Sequence, residues 1–144
     1  MQRVSGGSNP LIATIDTKKY YTFASVNNII LKKEYSEMYE YILALLNSNT
    51  LNWYYANNFS NNSKLTVNIS KTYLSKLPIP TVSNEKLKEI TEIVKTLLKN
   101  NPENNNQDLI IKLNKIIYEL YGLKKKEIDI IEKATIQVKP KKGK

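Results

Sequence analysis

Three polar stretches hold the side chains best suited to gripping another molecule. The first runs from Arg3 to Ser8, where a guanidinium precedes Gly6 and Gly7, a pair that allows close backbone approach. The second combines Lys18, Lys19 and Tyr21 with Ser25, Asn27 and Asn28. The third is the Asn- and Ser-rich run 57–64, with Asn61, Asn62 and Lys64, and with Lys71 nearby. Ammonium groups neutralise phosphates, a guanidinium takes a phosphate or a guanine edge, and an asparagine amide pairs with both polar atoms of adenine's groove edge. Each stretch also has a plainer reading. Arg3 can pair with a carboxylate, Asn27-Asn28 can be a turn, and 57–64 can be a solvated loop.

Composition narrows the chemistry further. The 144 residues include no histidine and no cysteine, which removes most nucleophile, relay and zinc chemistry together with any disulfide framework. Four glycines, of which only Gly6 and Gly7 are close, provide no phosphate-cradling loop. Carboxylates fall among lysines, as in EKLKEITEIVK (85–95), and read as a solvated helix face rather than an acid and base pair. Lysine and arginine outnumber aspartate and glutamate by 22 to 13, a net charge of +9 that favours a polyanionic partner. Lys133, Lys139, Lys141, Lys142 and Lys144 carry much of this excess in a terminal segment, so the body is only modestly basic. The longest apolar run, YILALL (41–46), is far short of the ~20 residues of a membrane span, and MQRVSGGSNP lacks the apolar centre of a signal peptide. The expectation is a cytoplasmic protein with no membrane partner.

Periodicity places these residues on elements. LIATI (11–15), YYTFA (20–24) and VNNIIL (26–31) read as short strands, with a polar turn over 16–19. After Ser36, a candidate cap, Met38, Tyr41, Ile42, Leu45 and Leu46 recur at helical spacing, and LNWYYANNF (51–59) continues as a second helix. Trp53 and its tyrosine neighbours suit a core better than a base-stacking platform. LTVNI (65–69) alternates like a strand, and Ser70 can cap a short turn before YLSKLPIP (73–80). Pro78 and Pro80 lack N–H donors and bias their predecessors toward extended geometry, so the stretch is a joint whose Leu77 and Ile79 pack on both sides. Beyond it, Leu87, Ile90, Ile93, Val94, Leu97 and Leu98 line a helix of about four turns. Asn104 with Gln107 has the form of a capping box for a helix bearing Leu109, Ile110, Leu113, Ile116, Ile117, Leu120 and Tyr121. Gly122 stops that helix, and a shorter one spans 124–132 with Ile128 and Ile131 inward.

The predicted fold is therefore α+β. A strand-containing lobe with an amphipathic helix (1–80) is joined by Leu-Pro-Ile-Pro to a helical hairpin plus short helix (81–133), with a basic tail (134–144).

In order, QRVSGGSNPLIATID (2–16), KYYTFASVNNI (19–29), YILALLNSNTLNWYY (41–55), YLSKLPIP (73–80) and IIYELYGLKKKEIDIIE (116–132) resemble the landmarks of a known family. This is the TaqI-like C-terminal specificity domain of adenine-specific DNA methyltransferases and fused restriction-modification enzymes. Similar landmarks occur in the DNA-reading subunits of type I restriction systems. The resemblance implies a target recognition domain for double-stranded DNA, partnered by a methyltransferase domain, with or without a nuclease. That separate domain binds S-adenosylmethionine and methylates a flipped adenine; this chain binds no cofactor of its own. The family's catalytic signature, Asn or Asp followed by two prolines and an aromatic, is approached only by Asn9-Pro10-Leu11 and Asn101-Pro102-Glu103, which lack the second proline and the ring. Lys124 stands where the family more often has a Ser or Thr cap. For a DNA partner the candidate DNA-binding residues are those of the three polar stretches: Arg3, Lys18, Lys19, Tyr21, Ser25, Asn27, Asn28, Asn61, Asn62, Lys64 and Lys71. The alternative is a helical protein-interaction module, or a stand-alone specificity subunit with no catalytic role.

Overall fold

Apolar residues at helical spacing build most of the architecture. The computed structural model describes residues 1–5, 9–59, 67–100 and 105–136. A 3-10 segment, Lys33–Met38, leads into α1 (Tyr39–Leu46), then α2 (Asn49–Phe59), α3 (Lys71–Leu74), α4 (Asn84–Lys99), α5 (Gln107–Leu120) and α6 (Lys125–Ile136). One short antiparallel strand pair joins β1 (Val4–Ser5) to β2 (Val67–Asn68), with Val4 opposite Asn68 and Ser5 opposite Val67. Among the described residues the fold is thus mostly helical, and the segments 11–15, 20–24 and 26–31 form no strands beyond an isolated bridge at Val26.

Caps explain where the helices start and stop. Ser48, Ser70 and Ser83 each accept a backbone N–H three residues on, from Leu51, Tyr73 and Lys86 at 3.2, 3.2 and 3.3 Å. Ser36 instead lies inside the 3-10 segment. Asn106 precedes α5 without a side-chain cap bond, and Asn104 of the expected capping box lies outside the described residues. Gly122, at φ +64°, closes α5 through its N–H to the Glu119 carbonyl and the Leu123 N–H to that of Tyr118. This is the double bond of a left-handed helix stop. Lys124 has no capping oxygen, but Glu127 compensates by accepting its N–H at 2.7 Å.

α1 packs on α4, α2 packs on α5 and α6, and α4 pairs with α5. Their buried residues form one cluster with Leu11, Ile69 and Leu77, so the apolar interior runs unbroken across the proline joint. Tyr55 is buried and meets Phe59 and Tyr73 edge-on, whereas Trp53 is only half-buried. Leu98 and Ile110, expected on the inner face, are 48% and 42% exposed, near the end of the α4–α5 hairpin where the chain passes from one helix to the other. Of the joint's two apolar residues, Leu77 is buried and Ile79 is 46% exposed.

The joint is fastened by two phenols. The Tyr41 hydroxyl, from α1, donates to the Pro80 carbonyl at 2.8 Å. The Tyr121 hydroxyl, at the end of α5, donates to that of Pro78 at 2.7 Å. Prolines have no N–H to place in a ladder, so their carbonyls are the backbone groups left to hold. Burial pushes the Tyr41 phenol up to about 12 and raises Tyr121 as well.

Two consequences can be measured. Leu77→Ala should lower unfolding free energy by about 2–5 kcal/mol in urea titrations. Tyr41→Phe should cost about 0.5–1.5 kcal/mol at neutral pH. An unfolded tyrosine ionises near pH 10, below the folded value, so the wild-type contribution is complete below about 10. It is lost as pH rises toward about 12. The Phe variant should therefore show a shallower alkaline decline; identical slopes would contradict the buried phenol.

Candidate nucleic-acid interface

The scaffold's first task is to hold an extended segment that has no sheet. Leu11 donates its N–H to Asn52 Oδ1 at 2.7 Å. Ala13 exchanges both backbone bonds with the Asn47 amide, each at 3.1 Å. Ile12, between them, accepts from the Gln2 N–H at 3.1 Å. Two asparagines from the LNSNTLN stretch at the α1–α2 corner thus take the place of a neighbouring strand. Asn52 is buried, its Nδ2 also bonding the Leu46 and Ser48 carbonyls.

From this anchored segment the chain makes an excursion over 16–28. Asp16 accepts the Lys18 N–H through Oδ1 at 2.8 Å and the Tyr20 N–H through Oδ2 at 2.7 Å. Lys19, at φ +57°, takes the left-handed turn between them. Phe23 O accepts from Val26 N–H, and Asn28 Nδ2 donates to Thr22 Oγ1 at 2.7 Å. Arg3 closes the far end, its N–H on Ser25 O at 3.0 Å and its Nη1 on Ala24 O at 3.1 Å.

Of the eight expected residues that are described, seven are exposed. Arg3, Lys18, Lys19, Tyr21, Ser25 and Asn28 are exposed along this excursion. Lys71 is exposed two residues beyond Ile69, whose N–H bonds the Arg3 carbonyl at 2.8 Å. Asn27 points the other way: it is buried, and its Nδ2 donates to the Ile69 carbonyl at 2.9 Å, tying the excursion to β2. Asn61, Asn62 and Lys64 lie outside the described residues. Between the excursion and α1 lies a cleft of about 780 Å³, with Asp16, Lys19, Thr22 and Asn28 at its polar wall and Ile42 and Leu46 at its apolar one.

Two features escape sequence reasoning. Asp16 works as the loop's pin, signalled only by a carboxylate followed by a polar turn. Tyr20 and Phe23, read from the sequence as part of a strand, are 68% and 88% exposed and lie in no strand.

Charge is divided between the two parts of the chain. Residues 85–132 hold nine cations and nine carboxylates, whereas residues 1–84 hold eight cations and four carboxylates. On the helices Lys86 meets Glu119 at 3.2 Å, and Lys112 meets Glu89 at 3.1 Å. These partners raise the Lys86 pKa and lower that of Glu89. Among the described residues Arg3, Lys18, Lys19 and Lys71 have no ion-pair partner, and no three acidic side chains are grouped to hold a metal. No described helix is long and apolar enough to cross a membrane.

Exposed cations and rings on loops held by a helical scaffold are features that suit binding of an anionic partner. The family model of the TaqI-like C-terminal specificity domain matches residues 4–79, just over half of the chain, and the chain belongs to that family. It is a DNA-recognition specificity module. No curated protein and no solved structure gives a match.

If Asp16 organises the loop, Asp16→Ala should speed hydrogen exchange at the Lys18 and Tyr20 amides at least about tenfold while leaving α1, α4 and α5 amides unchanged. Equal protection in the variant would remove Asp16 from that role.

Proposed function

We propose that the chain is the target recognition domain of a restriction-modification adenine methyltransferase. It reads duplex DNA, chiefly in the major groove, so that a separate catalytic domain using S-adenosylmethionine meets one particular adenine flipped from the helix. The observation that carries this reading is the family match over 4–79, the part of the chain that contains the excursion, the strand pair and the joint. Phosphates would be met by Arg3, Lys18, Lys19 and Lys71, and base edges by Asn28, with Asn61, Asn62 and Lys64 from the Asn-rich run. Ser25 and Asn27 belong to the support, since the Ser25 carbonyl holds Arg3 and the Asn27 amide holds Ile69. Tyr21 stands beside the lysines, fully exposed.

Salt dependence tests the reading directly. By fluorescence anisotropy, log affinity for a duplex should fall with log salt at a slope near 0.9 per phosphate contact. Lys18→Ala with Lys19→Ala should weaken all duplexes alike and make that slope shallower by about 0.9 for each contact removed. Docking of an apolar partner on the helices would barely respond to salt. Wild-type affinity and slope in the double variant would show that the excursion does not face the phosphates.

A further inference from the structure

We propose that Tyr21 and Phe23 form a stacking clamp for one unpaired nucleobase, a role that rests on the reading of the chain as a DNA-specificity module. Tyr21 is 103% exposed and Phe23 88%, the two most exposed large apolar side chains among the described residues. They stand on a loop whose backbone is tied at Asp16, at Val26 and at Arg3. Rings displayed in water on a hydrogen-bonded backbone are preorganised for a partner, since little loop entropy remains to be lost on contact.

The order of side chains specifies what fits. Thr22, between the rings, turns back to accept the Asn28 amide and lines the cleft, while its two neighbours face solvent. Residues 21–23 belong to no helix or turn, and in extended chain side chains i and i+2 stand about 7 Å apart. Stacked bases rise about 3.4 Å per step along a strand. Two rings at twice that spacing leave room for one flat base between them.

Charge decides between a nucleobase and an apolar protein surface. Lys18 and Lys19 adjoin the rings and have no ion-pair partner among the described residues, and residues 1–33 contain a single carboxylate, Asp16, both of whose oxygens are engaged by backbone N–H groups. Aromatic rings interleaved with free cations are the pattern of a site that stacks bases while holding the adjoining phosphates.

The test compares two labelled DNAs of one sequence, a fully paired duplex and the same duplex with a single-base bulge carrying 2-aminopurine. The wild-type chain should bind the bulged duplex about tenfold more tightly and quench the 2-aminopurine. Tyr21→Ser and Phe23→Ser should each abolish the preference and the quenching, and Phe23→Ser should do so with paired-duplex affinity and melting temperature unchanged. Lys18→Ala with Lys19→Ala should weaken both DNAs equally and keep the preference. Paired-duplex binding with no preference for the bulge, or ring variants that retain it, would overturn the clamp and leave the specificity-module reading standing. Absence of binding to any DNA would remove both. Self-association relieved by the ring variants, without effect on DNA, would overturn the clamp in favour of a protein contact.

Discussion

An extended segment without strands beside it must still satisfy its backbone, and the fold depends on how residues 11–13 do so. Asn52 and Asn47 bond Leu11 and Ala13 from one side, and Gln2 bonds Ile12 from the other. Both asparagines are fixed on the α1–α2 corner, where Asn47 Nδ2 also bonds the Leu43 carbonyl and Ser48 caps the next helix. The segment is thereby locked to the helical core rather than to a sheet. Removing either amide would leave polar backbone groups without partners, which costs more than the bond itself contributes.

The excursion inherits its position from that lock. It begins at Asp16, just past the anchored segment, and returns at Asn27, whose backbone bonds Met1 and whose side chain bonds Ile69. Asn114 of α5 performs the same office at a distance, its Oδ1 accepting the Asn49 N–H at 2.9 Å and so fixing the start of α2 against the hairpin. With the phenols of Tyr41 and Tyr121 on the proline carbonyls, the recognition segments and the helices share one interior. A force applied to the loops is therefore carried into the helices.

Much of the helical part was legible because its signals are local. Ser70 starts and Gly122 stops a helix as their types suggest, and Ile90, Ile93, Leu113, Ile116 and Ile117 are buried as their spacing requires. The first third was misread for a physical reason. LIATI alternates in burial like a strand, but Leu11 and Ala13 are held by side chains more than 30 residues away, which no local pattern reports. YYTFA has strand-forming residues by type, yet its aromatics face water. Asn27 looked like its neighbour Asn28, and only the Ile69 carbonyl separates the buried tie from the exposed amide. The site was found as a set of stretches, while the roles inside it required three dimensions.

The charge partition follows from the same division. Helices facing water need paired signs, since i to i+4 neighbours and facing helices bring charges within ion-pair range. From 85 to 132 the balance is even, and the ion pair of Lys95 with Glu40 draws one carboxylate of the first part toward α4. Residues 41–84 contain no carboxylate at all. Counter-charge is therefore withheld from the stretch that includes Lys71, and Asp16, the one carboxylate near Lys18 and Lys19, is already engaged by two N–H groups. The positive balance of residues 1–84 arises from omitting acids rather than from adding bases, and an unbalanced charge of this kind favours a polyanionic partner at long range.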